Sequence, residues 1–324
     1  MPPLPPLLGA GRAPTDPPGD PAPDPSGAYD GALDDAELRS ARAALAQGRP
    51  QAARSLLRRT GDDWDRRGHR LTVLAGEPYA AAWARDWLHG EPGSADAATL
   101  LALALVHRAL HGKEDPDQAR AACATAAALA PADPTPWLGR LLLARTLGPE
   151  RETLAVFAEV HRRHPEHHHG HHLLLARLAE HPAGGRDESH EVYDLAELAA
   201  AQAPADSPLA LLPVVAYAER YRVLAAAGLA PADPAASGHW SGPRARRILR
   251  ACFDWWLEWE HDEHPRRHID LNHLAFALDC AGRAAEAAAL FRRIGRHATP
   301  EPWAYAHRDP RAAFHTARAR ALGQ

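Results

Sequence analysis

The sequence predicts an all-α chain made of stacked helical hairpins. Beyond residue 33 apolar residues return at helical spacing in one segment after another, and glycine or proline separates successive stripes. Two prolines that close such segments, Pro131 and Pro165, lie 34 residues apart. A helix with a single apolar stripe must bury that stripe on a neighbour, and a short punctuated turn makes the next helix the neighbour. The chain has 324 residues and is 46% hydrophobic, which is enough for a continuous core.

The first segment stands apart from this pattern. Ten of the first 25 residues are proline, and proline at that density removes amide donors and blocks helix. Residues 1–28 are therefore expected to be a disordered tail, either without a role or docked by a partner as an extended peptide. The tail lacks the charged start and continuous apolar stretch of a signal peptide. Residues 29–324 form the expected helical domain. In "AQGRPQAARSLLRR", 46–59, Gly48, Ala53 and Leu57 have the mutual offsets of Gly282, Ala287 and Phe291 in "DLNHLAFALDCAGRAAEAAALFRRIGRHATP", 270–300. Each reads as two helices about a glycine turn, with a small alanine permitting close approach. Between 60 and 90 helix-capping signals are present without a repeat register.

The middle of the chain is more regular. Trp137 opens a helix, Gly148 marks a turn, Phe157 lies in the second helix and Pro165 closes the unit. The preceding unit keeps Ala119 and Pro131 and places Cys123 where Phe157 stands in the next. These spacings resemble the tetratricopeptide repeat (TPR), a 34-residue helix-turn-helix with an early tryptophan, a late aromatic and a closing proline. Thr153 and Leu141 stand where that family has small residues. The next closing proline, Pro204, comes 39 residues after Pro165, which places an insertion at "HPAGGRD", 181–187. The stretch 230–243 reads as a longer loop and 309–322 as a capping helix. The segment 189–212, with Ser-His-Glu before a helix, also resembles a group of actinobacterial TPR-like proteins, which implies a subfamily and no activity. The resemblance implies a TPR-like solenoid of about seven helix pairs, with a concave groove that takes a protein or peptide.

Composition excludes several functions. There are 37 basic against 41 acidic residues, with no basic excess for nucleic acid. Lys113 is the only lysine, and arginine-for-lysine usage alongside abundant Ala, Pro and Gly reads as coding bias. Cys123, Cys252 and Cys280 are odd in number and widely spaced, unsuited to a disulfide framework or thiolate zinc site. No run of about 18 apolar residues suggests a membrane span, so a cytoplasmic protein is expected. No nucleophile elbow, phosphate loop or HExxH motif is present.

Two polar clusters remain. Eight of the 21 histidines fall between 161 and 181. On the helix after Pro165, His167/His171 and His168/His172 are i, i+4 pairs, the spacing by which one helix offers two imidazoles to a metal ion. His190 and Glu191 are the candidate further ligands, although a helix start after a turn abuts its partner's end. Three readings stand: a solvated polar helix end, which that geometry favours; a zinc or other transition-metal site; and a pH-responsive surface. The second cluster, 254–273, holds Asp254, Glu258, His261, Asp262, His264 and His268, and reads as a charged face beside an aromatic stripe, with a di-iron or acid-base constellation on Glu258-x-x-His261 as the alternative. Its Trp255, Trp256 and Trp259, with Trp137, are candidate groove anchors. Sequence alone thus points to a non-catalytic scaffold without a cofactor that binds a protein or peptide. A helical metalloprotein is the alternative.

Overall fold

A computed structural model of the chain describes residues 29–181, 190–259 and 263–323. The proline-rich tail, nearly all of the 181–187 insertion, Ser189, His261 and Asp262 lie outside the described residues. The fold is all-α, with fifteen α-helices and no strand among the described residues. None of these helices is long and apolar enough to cross a membrane.

Short turns set the order. Helices α1 (Ala36–Ala46) and α2 (Gln51–Thr60) pack together across Gly48, and α13 (Arg267–Cys280) and α14 (Ala284–Ile294) do so across Gly282. Both glycines have φ of 72°, the left-handed backbone expected of these turns. Between them come α3 (Trp64–Ala75), α4 (Ala80–Gly90), α5 (Ala95–Leu110) and α6 (Pro116–Leu129). Then follow α7 (Thr135–Leu147), α8 (Glu150–Arg163), α9 (His168–Leu178), α10 (Glu191–Gln202), α11 (Leu212–Ala226) and α12 (Pro243–Glu258). The last helix is α15 (Pro310–Leu322), packed on α14.

A second set of contacts crosses this sequential pairing. Helices α3, α5, α7, α9, α11 and α13 form a row in which each packs on the next. Gly139 shows how closely: a Cβ there would lie 2.8 Å from Leu103 Cδ2 and 3.1 Å from Cys123 Sγ, so side chains of α5 and α6 pack directly on the α7 backbone. Even-numbered helices such as α2, α8 and α14 carry one apolar stripe and an exposed polar face. Row members α9, α11 and α13 are buried on most sides, so their polar side chains must find partners inside.

The ends of the row are tied to each other. Arg267, at the start of α13, pairs with Asp34 just before α1, and His268 Nε2 lies 3.4 Å from the same carboxylate. Arg66 of α3 donates to the Glu263 carbonyl at 3.0 Å. Within the row, Arg67 bridges Asp96 and Asp133, each at 2.7 Å, and Arg70 joins Asp35, Glu37 and the Thr60 hydroxyl. The three cysteines are buried and unpaired.

Asn272 on α13 shows how fully the interior can be satisfied. Its Nδ2 donates to the His268 and His297 carbonyls at 2.7 and 3.0 Å. Its Oδ1 accepts from Trp303 Nε1 at 2.8 Å and Thr299 N at 3.4 Å. Asn272→Leu strands a buried indole N–H, the Thr299 N–H and the His297 carbonyl and is expected to cost about 3 kcal/mol in denaturant unfolding. Arg59→Ala, which removes an exposed pair with Glu37, is expected to cost less than about 1 kcal/mol.

Candidate metal centre and interior cavity

The histidines after Pro165 are not solvated. His167, His168, His171 and His172 are all buried, because the first turn of α9 is held between α3 and α13. Asp65, in the first turn of α3, accepts the His168 backbone N–H at 3.0 Å and lies 3.0 Å from His164 Nε2. His264 Nε2 stands 3.5 Å and His167 Nδ1 3.8 Å from the same carboxylate. On the other side Asp270 of α13 meets His168 Nε2 at 2.7 Å and His172 Nε2 at 3.0 Å. The His168 and His264 rings pack with centroids 4.6 Å apart, linking the two carboxylates through imidazoles.

The two i, i+4 pairs therefore have different fates. His168 and His172 both face Asp270, and the ligand atoms of these three residues lie within 4.8 Å of one another. His167 instead caps α9, its Nδ1 accepting from Gly170 N, and His171 Nδ1 bonds the His167 carbonyl and packs edge-on against Phe157. His190 and Glu191 do not join the cluster. His190 caps α10 through Val192 N and reaches the His181 carbonyl, while Glu191 pairs with His181 at 2.7 Å. The helix start does abut its partner's end, as the turn geometry required.

Nor do the four indoles gather on one surface. Trp137 is stacked between Arg140 and Arg163. Trp256 is buried against Phe253, and the half-buried Trp255 donates to the Ala205 carbonyl at 2.7 Å. Trp255, Trp256 and Trp259 border a crevice of about 20 Å³, room for one water. Asp254 and Glu258 are exposed, as a solvated face requires.

Sequence reasoning missed Asp270 and Asp65. Asp270 left a signal: it shares its face of α13 with Leu274 and Leu278, an acid in an apolar stripe. Asp65 left none, since its partners lie about a hundred residues or more away.

Electrostatics follow from burial. Burial pushes His168 and His69 down to about 3 and His167, His171 and His273 to about 4. Burial alone would raise the Asp270 carboxyl, but the hydrogen bonds and charge interactions of His168 and His172 outweigh it and hold Asp270 well below the carboxylate range. Asp65 is held low in the same way by His164 and His264. At neutral pH the picture is two buried carboxylates, with His168 donating to Asp270 as a neutral imidazole. No arginine or lysine is within ion-pair distance of Asp270 among the described residues.

Beside this cluster lies a half-open cavity of about 680 Å³, lined by the 29–33 segment, α3, α7, α9, α11, α13 and the 298–305 segment. His172 is on its wall, as are His69, His169, His273 and Arg266. Glu219, also on the wall, accepts from Tyr305 Oη at 2.6 Å and pairs with Arg222 at 2.7 Å.

The buried histidines predict a pH dependence. His69, His167, His168, His171, His273 and His297 titrate near 3 to 4 when folded, against 6.5 normally. Below 6.5 the unfolded chain binds the extra protons, so stability is full above that pH and falls as pH drops towards 4. Each such group adds about 1.4 kcal/mol per pH unit. His164, raised by Asp65 against the effect of burial, and His181, raised by Glu191, work the other way, but they are outnumbered by these six and by the likewise lowered His107 and His169. Carboxylates held low lose their contribution only below about pH 4, so this window belongs to the histidines. Thermal melts from pH 7.5 to 4.5 are expected to show a steep fall, and a flat profile would mean that the imidazoles are hydrated.

Comparison with family models, with curated proteins and with solved structures finds no match to this chain. The geometry of the interior is therefore what bears on function.

Proposed function

We propose that this chain is a helical metal-binding protein whose centre is His168, His172 and Asp270. The observation that carries this reading is the buried Asp270 carboxylate, met by two imidazole Nε2 atoms from one helix turn and, among the described residues, by no arginine or lysine within ion-pair distance. Two imidazoles and one carboxylate suit zinc or iron(II), and three protein ligands leave coordination positions for water or a small molecule. His172 borders the cavity, so those positions would be reached from it. A proton now lies between His168 Nε2 and Asp270, so uptake of the ion would release it and would weaken as pH falls.

The row of odd-numbered helices backed by even-numbered ones supports reading the fold as a TPR-like array of seven pairs with α15 as a cap. The tied ends support a further reading, that the groove in which an open array would hold a peptide is occupied here by the chain's own side chains. Trp137 stands apart from the other three indoles, and their shared crevice is too small for a peptide side chain, which likewise favours the metal reading over a peptide scaffold.

The test is metal analysis of untagged protein, followed by titration of the chelated protein with cobalt(II), whose visible bands report its ligands. One equivalent is expected to bind, and Asp270→Asn and His168→Ala are expected to weaken it by more than about a hundredfold. His171→Ala should bind cobalt as the parent does. Saturating zinc is expected to stabilise the chelated protein by about 2.7 kcal/mol at a hundredfold excess over Kd. Absence of retained metal together with no cobalt spectrum would overturn the proposal.

A further inference from the structure

The cavity contains a charge that the fold leaves unanswered. Arg266, at the N-terminal end of α13, lines it, and its Nε has no hydrogen-bond partner. Its guanidinium makes no ion pair or side-chain hydrogen bond among the described residues. Asp270, Asp65 and Glu301 act on it only from a distance, and burial, the largest influence, draws its pKa down to about 10. A helix N-terminus is also the wrong end for a cation, since the helix dipole opposes it. The other arginines on the wall are engaged: Arg222 holds Glu219 and Glu180, and Arg145 reaches Glu180 at 3.5 Å. Asp30 on the wall is paired with Arg42 at 2.7 Å, and Glu301 is exposed.

We infer that the cavity binds an organic monocarboxylate, with its acid group on Arg266 and its apolar body in the remaining space. The planar guanidinium presents paired N–H donors that match a carboxylate. His69 Nε2 and His169 Nδ1, both without a partner on the same wall, add neutral hydrogen-bonding capacity. Arg266 is the wall arginine without an ion pair among the described residues and matches one negative charge; a phosphate dianion would need a second cation. The apolar share of the wall, Leu33, Val73, Leu173, Ile269 and Ala298, has nothing to offer a small polar acid. At about 680 Å³ the space is far larger than acetate and falls in the range of pockets that enclose drug-sized ligands. The inference does not depend on the metal reading, because Arg266 is not among the proposed metal ligands.

The experiment is calorimetric titration of the full chain, chelated and unchelated, with phenylacetate and octanoate against phenylacetamide and octanamide. At least one acid is expected to bind about tenfold or more tightly than its amide, in the chelated protein as well. Arg266→Gln is expected to abolish that difference while its ligand-free melting temperature stays level or rises, since it removes a half-buried charge that has no ion pair among the described residues. Amides binding as tightly as acids, or no binding of either acid, would overturn the inference. So would tighter binding of phenyl phosphate than of phenylacetate, which would assign a dianion. A lowered melting temperature in Arg266→Gln with acid binding intact would make the arginine a structural residue. Acid binding without any metal uptake would uphold this inference and sink the metal proposal, and the reverse pair of results would do the opposite.

Discussion

Two buried carboxylates that must share one helix shape the interior of this protein. Asp65 comes from the N-terminal part of the chain and Asp270 from the C-terminal part, yet both find donors on the first turns of α9. A buried carboxylate without partners is very costly. The backbone N–H of His168 and its ring nitrogen therefore pull α3 and α13 onto the same short stretch. Once those three helices are gathered, His264, His164 and His172 fall into place around them, and the remaining space becomes the cavity.

Imidazole suits this role because it is polar and can be neutral. Lysine would bring a hydrated charge into the interior, whereas a neutral histidine donates one hydrogen bond and packs its ring. The chain has one lysine and 21 histidines, and several of them pack ring against ring at a tilt. His168 and His172 lie 4.3 Å apart by ring centroid, and His268 lies 4.4 Å from His297. Burial lowers the basicity of His168 and His297, which favours the neutral ring in each of these contacts. Arg266 is the departure from this economy, a fixed charge in a region otherwise kept free of unpaired cations.

Much of the fold was legible in the sequence, because helical hairpins are written locally. The glycine turns at Gly48 and Gly282, the units closed by Pro131 and Pro165 and the final helix at 310–322 all rest on residues within a few turns of one another. The site was half legible for the same reason. His168 and His172 could be paired from their spacing alone, but Asp270 lies about a hundred residues away. Sequence spacing says which residues share a helix face and nothing about which distant helix that face meets. The histidines look solvated in sequence because they follow a proline turn, and they are buried because a distant segment covers that turn.

The tie between the two ends of the helix row bears on how such a chain can change over generations. An open stack of hairpins can gain or lose a unit at little cost, since each contacts only its neighbours. Here Asp34 must reach Arg267 and Asp65 must reach His264. One extra hairpin would carry those residues apart, and one fewer would drive them into collision. Duplication and deletion, the ordinary means by which repeat proteins diversify, are thereby closed to this one. What remains open to change is the identity of the side chains facing the central space.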